Sequence, residues 1–219
     1  MLAAPWGRLL ACAGLLGPLA LLFAQPHSRI QQLAPGKFLV AGRELGDPNF
    51  AETVVLLVQY GEAGAMGLVV NRPTRLPVSR VLREFRGAGA RSDAAYSGGP
   101  VAPGGVLAMI RSRSKPEEAR HVFADVYLVS SKAQLQGALA AESGPERLRV
   151  YLGYAGWAPE QLENEVELGA WQIVRAEAAM VFDPQPETLW RRLIEQTEMR
   201  IAGLGGPGPL EPRLVRISK

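Results

Sequence analysis

The spacing of apolar and polar residues changes period several times along this chain, and each change marks an element. KFLVA, residues 37 to 41, has strand character. TVVLLVQY, residues 53 to 60, is a nearly continuous apolar run rich in β-branched residues, which predicts a central strand buried on both faces. GEAG at 61 to 64 interrupts it and AMGLVVN resumes at once, so the two runs should pair as an antiparallel hairpin. Pro77 suits the first turn of a helix with Val78, Val81, Leu82 and Phe85 on one face and Arg80, Arg83 and Glu84 on the other. AYSGGPV reads as a tight polar turn, GGVLAMIRS as a strand, RSKPEEARHV as a charged connector and FADVYLVS as a strand. SKAQLQGALAAES is a helix with Leu135 and Leu139 four apart, RLRVYLGYAG a strand, and Pro159 to Leu168 a helix. A short apolar segment ending at Asp183 precedes a last helix from about Glu187 to Met199, with Leu189, Trp190, Leu193 and Ile194 on its buried side. Strands that alternate irregularly with helices, one hairpin among them, imply a single α+β domain with a mixed sheet.

Composition changes the picture mainly at the ends. The 219 residues are 47% hydrophobic and 21% charged, an ordinary globular balance. Leu9 to Ala24 lacks any charged residue; it is short of a membrane span but long enough for the apolar part of a secretory signal. Residues 1–24 are therefore set aside as a leader, whether signal, anchor or start-site extension, and membrane association could run through residues 9–24. Residues 25–33 are read as a linker, 34–200 as the domain and 201–219 as a flexible Gly/Pro-rich tail. The net charge of +3 is spread along the chain, with no polybasic tail, which argues against direct nucleic-acid binding.

Candidate chemistry is sparse. Cys12 is the single cysteine, and His27 and His121 are the only histidines, so neither a disulfide framework nor a zinc motif can be assembled from local spacing. GxSxG and the P-loop pattern are absent. Gly98 and Gly99 could form a backbone nest for an anion, or serve a chain reversal at positive φ. Asp47, Asn71 and Arg72 would make an anion-binding pocket if they converged, and with Ser97 they are the only constellation on which an enzyme reading could rest. In GYAGWAPEQLENEVELG, residues 153 to 169, Pro159 would open the helix and place Glu160 in its first turn. Glu160, Glu163 and Glu167 would then share a wet face, Leu162 and Val166 a buried one, and Trp157 would close the entrance as a hydrophobic staple. The junction before the helix, Tyr154 and Trp157 above all, could equally frame a binding surface.

FLVAGRELGDPNFAETVVLLVQY, GAMGLVVNRP, YSGGPV, YLGYAGWAPEQLENEVELGAW and VFDPQPETLWRRL stand in an order and spacing that resemble the YqgE/AlgH family of bacterial proteins (UPF0301) over roughly residues 34 to 197. The resemblance implies an α+β fold: a single compact domain with a mixed, largely antiparallel sheet or barrel-like core and flanking helices. It also implies a cytoplasmic protein, against the export or membrane-anchoring reading of the leader. Members of that uncharacterised family often carry the label of transcriptional regulator, without a recognisable DNA-binding helix pair or established catalytic residues. The family's recurrent positions fall here on Asp47, Pro48, Phe50, Gly64, Gly67, Asn71, Arg72, Pro73, Gly98, Gly99, Pro100, Gly153, Tyr154, Gly156, Trp157, Gln161, Leu162, Glu163 and Trp171. The chain departs at Tyr60, where many members have histidine, and at Glu160, where GWGxGQLE has glycine.

These readings converge on a non-enzymatic protein that binds a partner protein or small anionic ligand, with the regulatory role that the family label implies. The expected surface comprises Asp47, Asn71, Arg72, Gly98, Gly99, Tyr154, Trp157, Gln161 and Glu163, with no catalytic residue, metal or cofactor. A regulator acting directly on DNA and a hydrolase-like enzyme are the alternatives.

Overall fold

In the computed structural model, which describes residues 29–141 and 144–203, ten strands form one sheet. In chain order they are β1 (Lys37–Ala41), β2 (Val54–Gly61), β3 (Gly64–Val69), β4 (Pro73–Pro77), β5 (Ala94–Ser97), β6 (Val101–Arg111), β7 (Arg120–Phe123), β8 (Val126–Val129), β9 (Leu148–Trp157) and β10 (Trp171–Arg175). The helices between and after them are α1 (Val78–Val81), α2 (Lys132–Ala140), α3 (Gln161–Glu167), α4 (Ala178–Val181) and α5 (Leu189–Ile201). The sheet runs β10-β1-β2-β3-β9-β6-β8-β7, with β4 paired to β5 and β5 joining β9 off that path. Only the β5–β9 pairing is parallel.

β9 holds the two halves of the sheet together. Its first residues, Leu148 to Leu152, pair with β6, and Ala155 to Trp157 pair with β3. The apolar interior divides accordingly into two clusters, one around Phe38, Leu57, Met109 and Tyr151, the other around Val78, Leu82, Leu135, Leu139 and Val150. The sheet curls far enough that its last strand meets its start. Arg120 on β7 donates to the Gln59 side chain of β2 at 2.5 Å, and Gly36 before β1 packs against Phe123. That curl is the barrel-like character expected for the core.

The hairpin of β2 and β3 forms as its pattern predicts, with a register shift between Leu57 and Gln59. α2 begins in a capping box, Ser131 accepting from the Gln134 amide while the Gln134 side chain accepts from Ser131. Its buried Leu135 and Leu139 contribute on the order of 4 kcal/mol of apolar burial. α5 buries Leu189, Trp190, Leu193 and Ile194, the four residues its periodicity selects, and Trp190 Nε1 donates to the Ala41 carbonyl at 2.8 Å.

Five elements differ from expectation. The helix read from Pro77 to Phe85 is a single turn: the backbone leaves helical geometry at Leu82, φ −106 and ψ 31, and the Phe85 amide closes a separate turn on the Leu82 carbonyl, while the Val78 and Ser79 amides are bound by the Asp93 and Arg91 carbonyls. Pro73 to Pro77 is instead a peripheral strand, a place where proline's missing N–H is tolerated. Ala94 to Ser97, read as turn, is the strand that pairs with it, and Arg120 to Phe123 and Trp171 to Arg175 supply two edge strands at the limits of the sheet. Ordered packing also begins inside the segment read as a linker, since Leu33 is buried in the core and Ile30 packs against it. The leader and the tail beyond Gly203 lie outside the described residues.

Candidate functional site

The expected surface residues gather into three structural joints. At the first, Asp47 starts the turn before β2 by accepting from the Asn49 amide at 2.8 Å. Asn71, buried at 6% exposure, accepts from the Val54 amide at 2.8 Å and donates to the Glu52 carbonyl at 2.9 Å. Arg72 donates to the Asn49 and Ala51 carbonyls at 2.6 and 2.7 Å. Burial lowers the Arg72 pKa, opposed by the nearby charges of Asp47 and Glu52. Asp47, Asn71 and Arg72 do converge, but on the backbone of residues 47–54, whose polar groups occupy their side chains. Ser97 joins this region by its amide, which donates to the Arg72 carbonyl.

The second joint is a crossing of two glycine-rich chains. The Gly98 amide donates to the Leu152 carbonyl and the Gly98 carbonyl accepts from Val69, so that amide is already bound and does not serve a nest. A Cβ on Gly98 would overlap the Gly153 carbonyl oxygen, and one on Gly99 would overlap the Tyr154 carbonyl group. Gly153 sits at φ +70 where β9 passes from one half of the sheet to the other. Tyr154, half-buried, pairs there with Val101.

The third joint seats α3. Trp157 is buried at 6% exposure and Trp171 at 1%, and Phe50 packs against both rings at 6.1 and 5.6 Å between centroids. Trp157 is therefore a core residue rather than an exposed rim. Glu165 Oε2 accepts from both indoles, Trp157 Nε1 at 2.9 Å and Trp171 Nε1 at 2.7 Å, while Oε1 accepts from Gln161 at 2.9 Å. Glu163 accepts from the Tyr60 hydroxyl at 2.6 Å, and burial first, then that bond, pushes the Tyr60 pKa up to about 12. Glu163, expected on the wet face, and Glu165 thus both tie the helix to the sheet.

The start of α3 also differs from expectation. The helix begins at Gln161, and Glu160 is its N-cap at φ +64, with Pro159 in the turn before it. A left-handed backbone at this point explains why glycine is common there in the resembling family. Replacing Glu160 by glycine is expected to raise stability by ~1 kcal/mol, net of glycine's extra freedom in the unfolded chain. A urea titration reads this directly, and an unchanged or lower midpoint would contradict the strain.

One buried group escaped the sequence reading altogether. Arg149 on β9 is 3% exposed, donates to the Val181 carbonyl at 3.0 Å and to the Asp183 carbonyl, and lies over the Tyr96 ring at 4.7 Å. Asp183 itself pairs with Arg192. Burial raises the pKa of the neighbouring Tyr151 and Tyr96 hydroxyls. The uninterrupted strand RLRVYLGY, with Arg149 two positions from Tyr151, is the signal that could have marked it.

Open space lies elsewhere. A cleft of about 550 Å³ runs between one face of α2, made of Ala133, Gln134, Gly137, Ala138 and Ala141, and the segment from Arg111 to Glu118, with Ile110 and Val129 at its base. Arg147 lines it toward the C-terminal end of α2. Glu118 and Gln134 also line a second space of about 250 Å³ beside Gln59, Met66 and Arg120. Glu118 has φ +54. None of Asp47, Asn71, Arg72, Ser97, Trp157 or Glu163 lines either space. His121 bonds the Ala124 carbonyl at 2.9 Å, and among the described residues no group of three or more His, Cys, Asp or Glu could hold a metal ion. No helix among them is long and apolar enough to cross a membrane.

A curled, largely antiparallel α+β sheet whose glycine crossing and carboxylate-bound tryptophans are structural defines the class. The family profile described as AlgH-like matches residues 38–202, and the chain belongs to that family. A UPF0301 protein of Streptomyces avermitilis is 38% identical over 173 residues, 76% of this chain and 88% of that one. The UPF0301 protein AlgH of Pseudomonas aeruginosa is 37% identical over 155 residues, 68% of this chain and 81% of that one. The solution structure of AlgH from Pseudomonas aeruginosa superposes with a TM-score of 0.60 at 31% identity, covering 80% of this chain and 95% of that one. The crystal structure of DIP2367 from Corynebacterium diphtheriae shares the fold, with a TM-score of 0.62 at 24% identity over 81% of this chain and 89% of that one.

Proposed function

We propose that this AlgH-like protein is a non-enzymatic, regulatory binding protein and that its ligand enters the cleft beside α2. The cleft carries the reading: its volume of about 550 Å³ lies within the range of small-molecule sites, roughly 300–1,000 Å³. The family's recurrent polar residues support it from the other side, since Asn71, Arg72 and Gln161 are occupied by internal hydrogen bonds. Small side chains along α2 let an apolar body lie close to the helix. Of the charged residues lining the cleft, Arg111 is paired with Asp125 and Glu117 and Glu118 stand on the facing segment, which leaves Arg147 to offer a charge to an anionic end, so the ligand class proposed is a small amphipathic anion.

Octanoate is a suitable probe, observed by saturation-transfer NMR. Nothing lies within 4 Å of a Cβ at Gly137, so Gly137→Leu should project into the cleft, fold normally and gain helix propensity of ~1 kcal/mol. Saturation transfer is expected with the parent protein, lost with Gly137→Leu and reduced with Arg147→Gln. Equal signals from all three proteins, or none from the parent, would sink the cleft as the ligand site.

A further inference from the structure

Several arginines elsewhere in the fold are held by carboxylates: Arg43 by Glu198, Arg91 by Asp93, Arg111 by Asp125 and Arg192 by Asp183, while exposed ones such as Arg113, Arg175 and Arg200 stand singly along the chain. Residues 75–86 are different. They carry four arginines and one glutamate, a net +3 in one short segment, equal to the formal charge of the whole chain. Arg75, Arg80, Arg83 and Arg86 are all exposed. Among the described residues their guanidinium groups have no hydrogen bond or carboxylate partner. The segment beneath them is nonetheless fixed. Val78 and Leu82 are buried, the Val78 and Ser79 amides are bound to the 91–93 chain, and the Arg86 backbone exchanges two hydrogen bonds with Gln136 of α2. Leu76, at 39% exposure, adds an apolar contact beside Arg75.

We infer that residues 75–86 form a docking surface for an acidic segment of a partner protein. A rigid backbone under unpaired charges removes part of the ordering cost that binding incurs. The cations are all arginine, the basic residue enriched in protein interfaces, where lysine is depleted. Glu84 stands among them and would repel a uniformly anionic surface such as a phosphate backbone or a lipid layer, whereas a protein segment can meet it with a donor. α1 is a single turn, too short to serve as a groove-reading helix, and Phe85 is covered by Lys132 at 5.9 Å, so no stacking platform is offered to a base. This surface is distinct from the cleft and does not depend on it.

The test uses the full chain and a fluorescein-labelled synthetic peptide of Glu-Asp-Leu-Glu repeats, followed by anisotropy at low and at physiological salt. Arg80→Gln, Arg83→Gln and Arg86→Gln together are expected to weaken binding on the order of tenfold, the sum of exposed charge pairs. Arg113→Gln, Arg175→Gln and Arg200→Gln remove the same net charge from exposed positions elsewhere and should change it by roughly twofold or less. All six side chains are exposed, and unchanged melting temperatures will show that both variants fold. Equal losses from both triple variants, no peptide binding, or duplex DNA or phosphatidylserine vesicles showing the dependence on Arg80, Arg83 and Arg86 that the peptide lacks would each overturn the assignment. Gly137→Leu should leave peptide binding intact, which separates failure of this surface from failure of the cleft.

Discussion

Gly153→Ala is expected to cost about 4 kcal/mol of stability, enough to leave a marginal domain largely unfolded at 37 °C. Two separate effects act at this residue. The backbone is left-handed, at φ +70, which costs an L-residue ~1–2 kcal/mol. A Cβ would also lie 2.5 Å from the Gly99 carbonyl oxygen and 2.8 Å from that of Val101, atoms of backbone that cannot move aside as a side-chain tip could. Gly169 has φ +81 with nothing within 4 Å, so Gly169→Ala measures the dihedral cost alone. Gly46 has neither feature, and Gly46→Ala should be near neutral. Urea denaturation of the three variants should rank Gly153 far above Gly169 and Gly169 above Gly46. A Gly153 variant no worse than the Gly169 one would show that the crossing chains are not in contact in solution.

This crossing also explains why some of the fold was legible in the sequence and some was not. β2 and β3 could be read because continuous β-branched burial and a short break allow few other arrangements, and α5 because its four core residues keep helical period over a sufficient length. β4, β5 and β7 are short and peripheral, so their residues alternate weakly and their charges look like loop; only pairing with distant strands makes them strands. Gly98 and Gly99 stood out as turn or nest residues and Gly153 lay inside a segment read as strand, yet the reason for all three is mutual contact between segments more than fifty residues apart, which local spacing does not encode. Arg72 was read as part of an anion-binding pocket, but its geometry serves carbonyls. The cleft was not legible at all, because its helix face is built from Ala and Gly, residues with no chemistry to flag. The acidic helix was misread for a related reason: counting glutamates on helical faces predicts which side they occupy, not which donors reach them from other elements.

Glu165 is the sharpest instance, and Glu165→Leu is expected to destabilise the protein by about 3 kcal/mol. Its Oε2 accepts from two indole N–H groups belonging to tryptophans that are 6% and 1% exposed, and no water-facing alternative is at hand for donors so deeply placed. Leucine fills comparable space but accepts nothing, leaving both donors buried and unpaired, the situation that costs more than the net worth of a hydrogen bond. Gln161 would lose its partner as well, and with it part of the hold on the first turn of α3, where its other end accepts from the Ala158 amide. Glu165→Gln keeps one acceptor oxygen and turns a donor toward the second indole, so it should fall between the parent and the leucine variant. Denaturant midpoints should therefore order as parent, glutamine, leucine, and tryptophan emission should shift in the same order, because two of the chain's four tryptophans lie in this joint. If leucine proved as stable as glutamate, apolar packing of Leu162 and Val166 alone would be holding α3, and the shared carboxylate would have no structural weight.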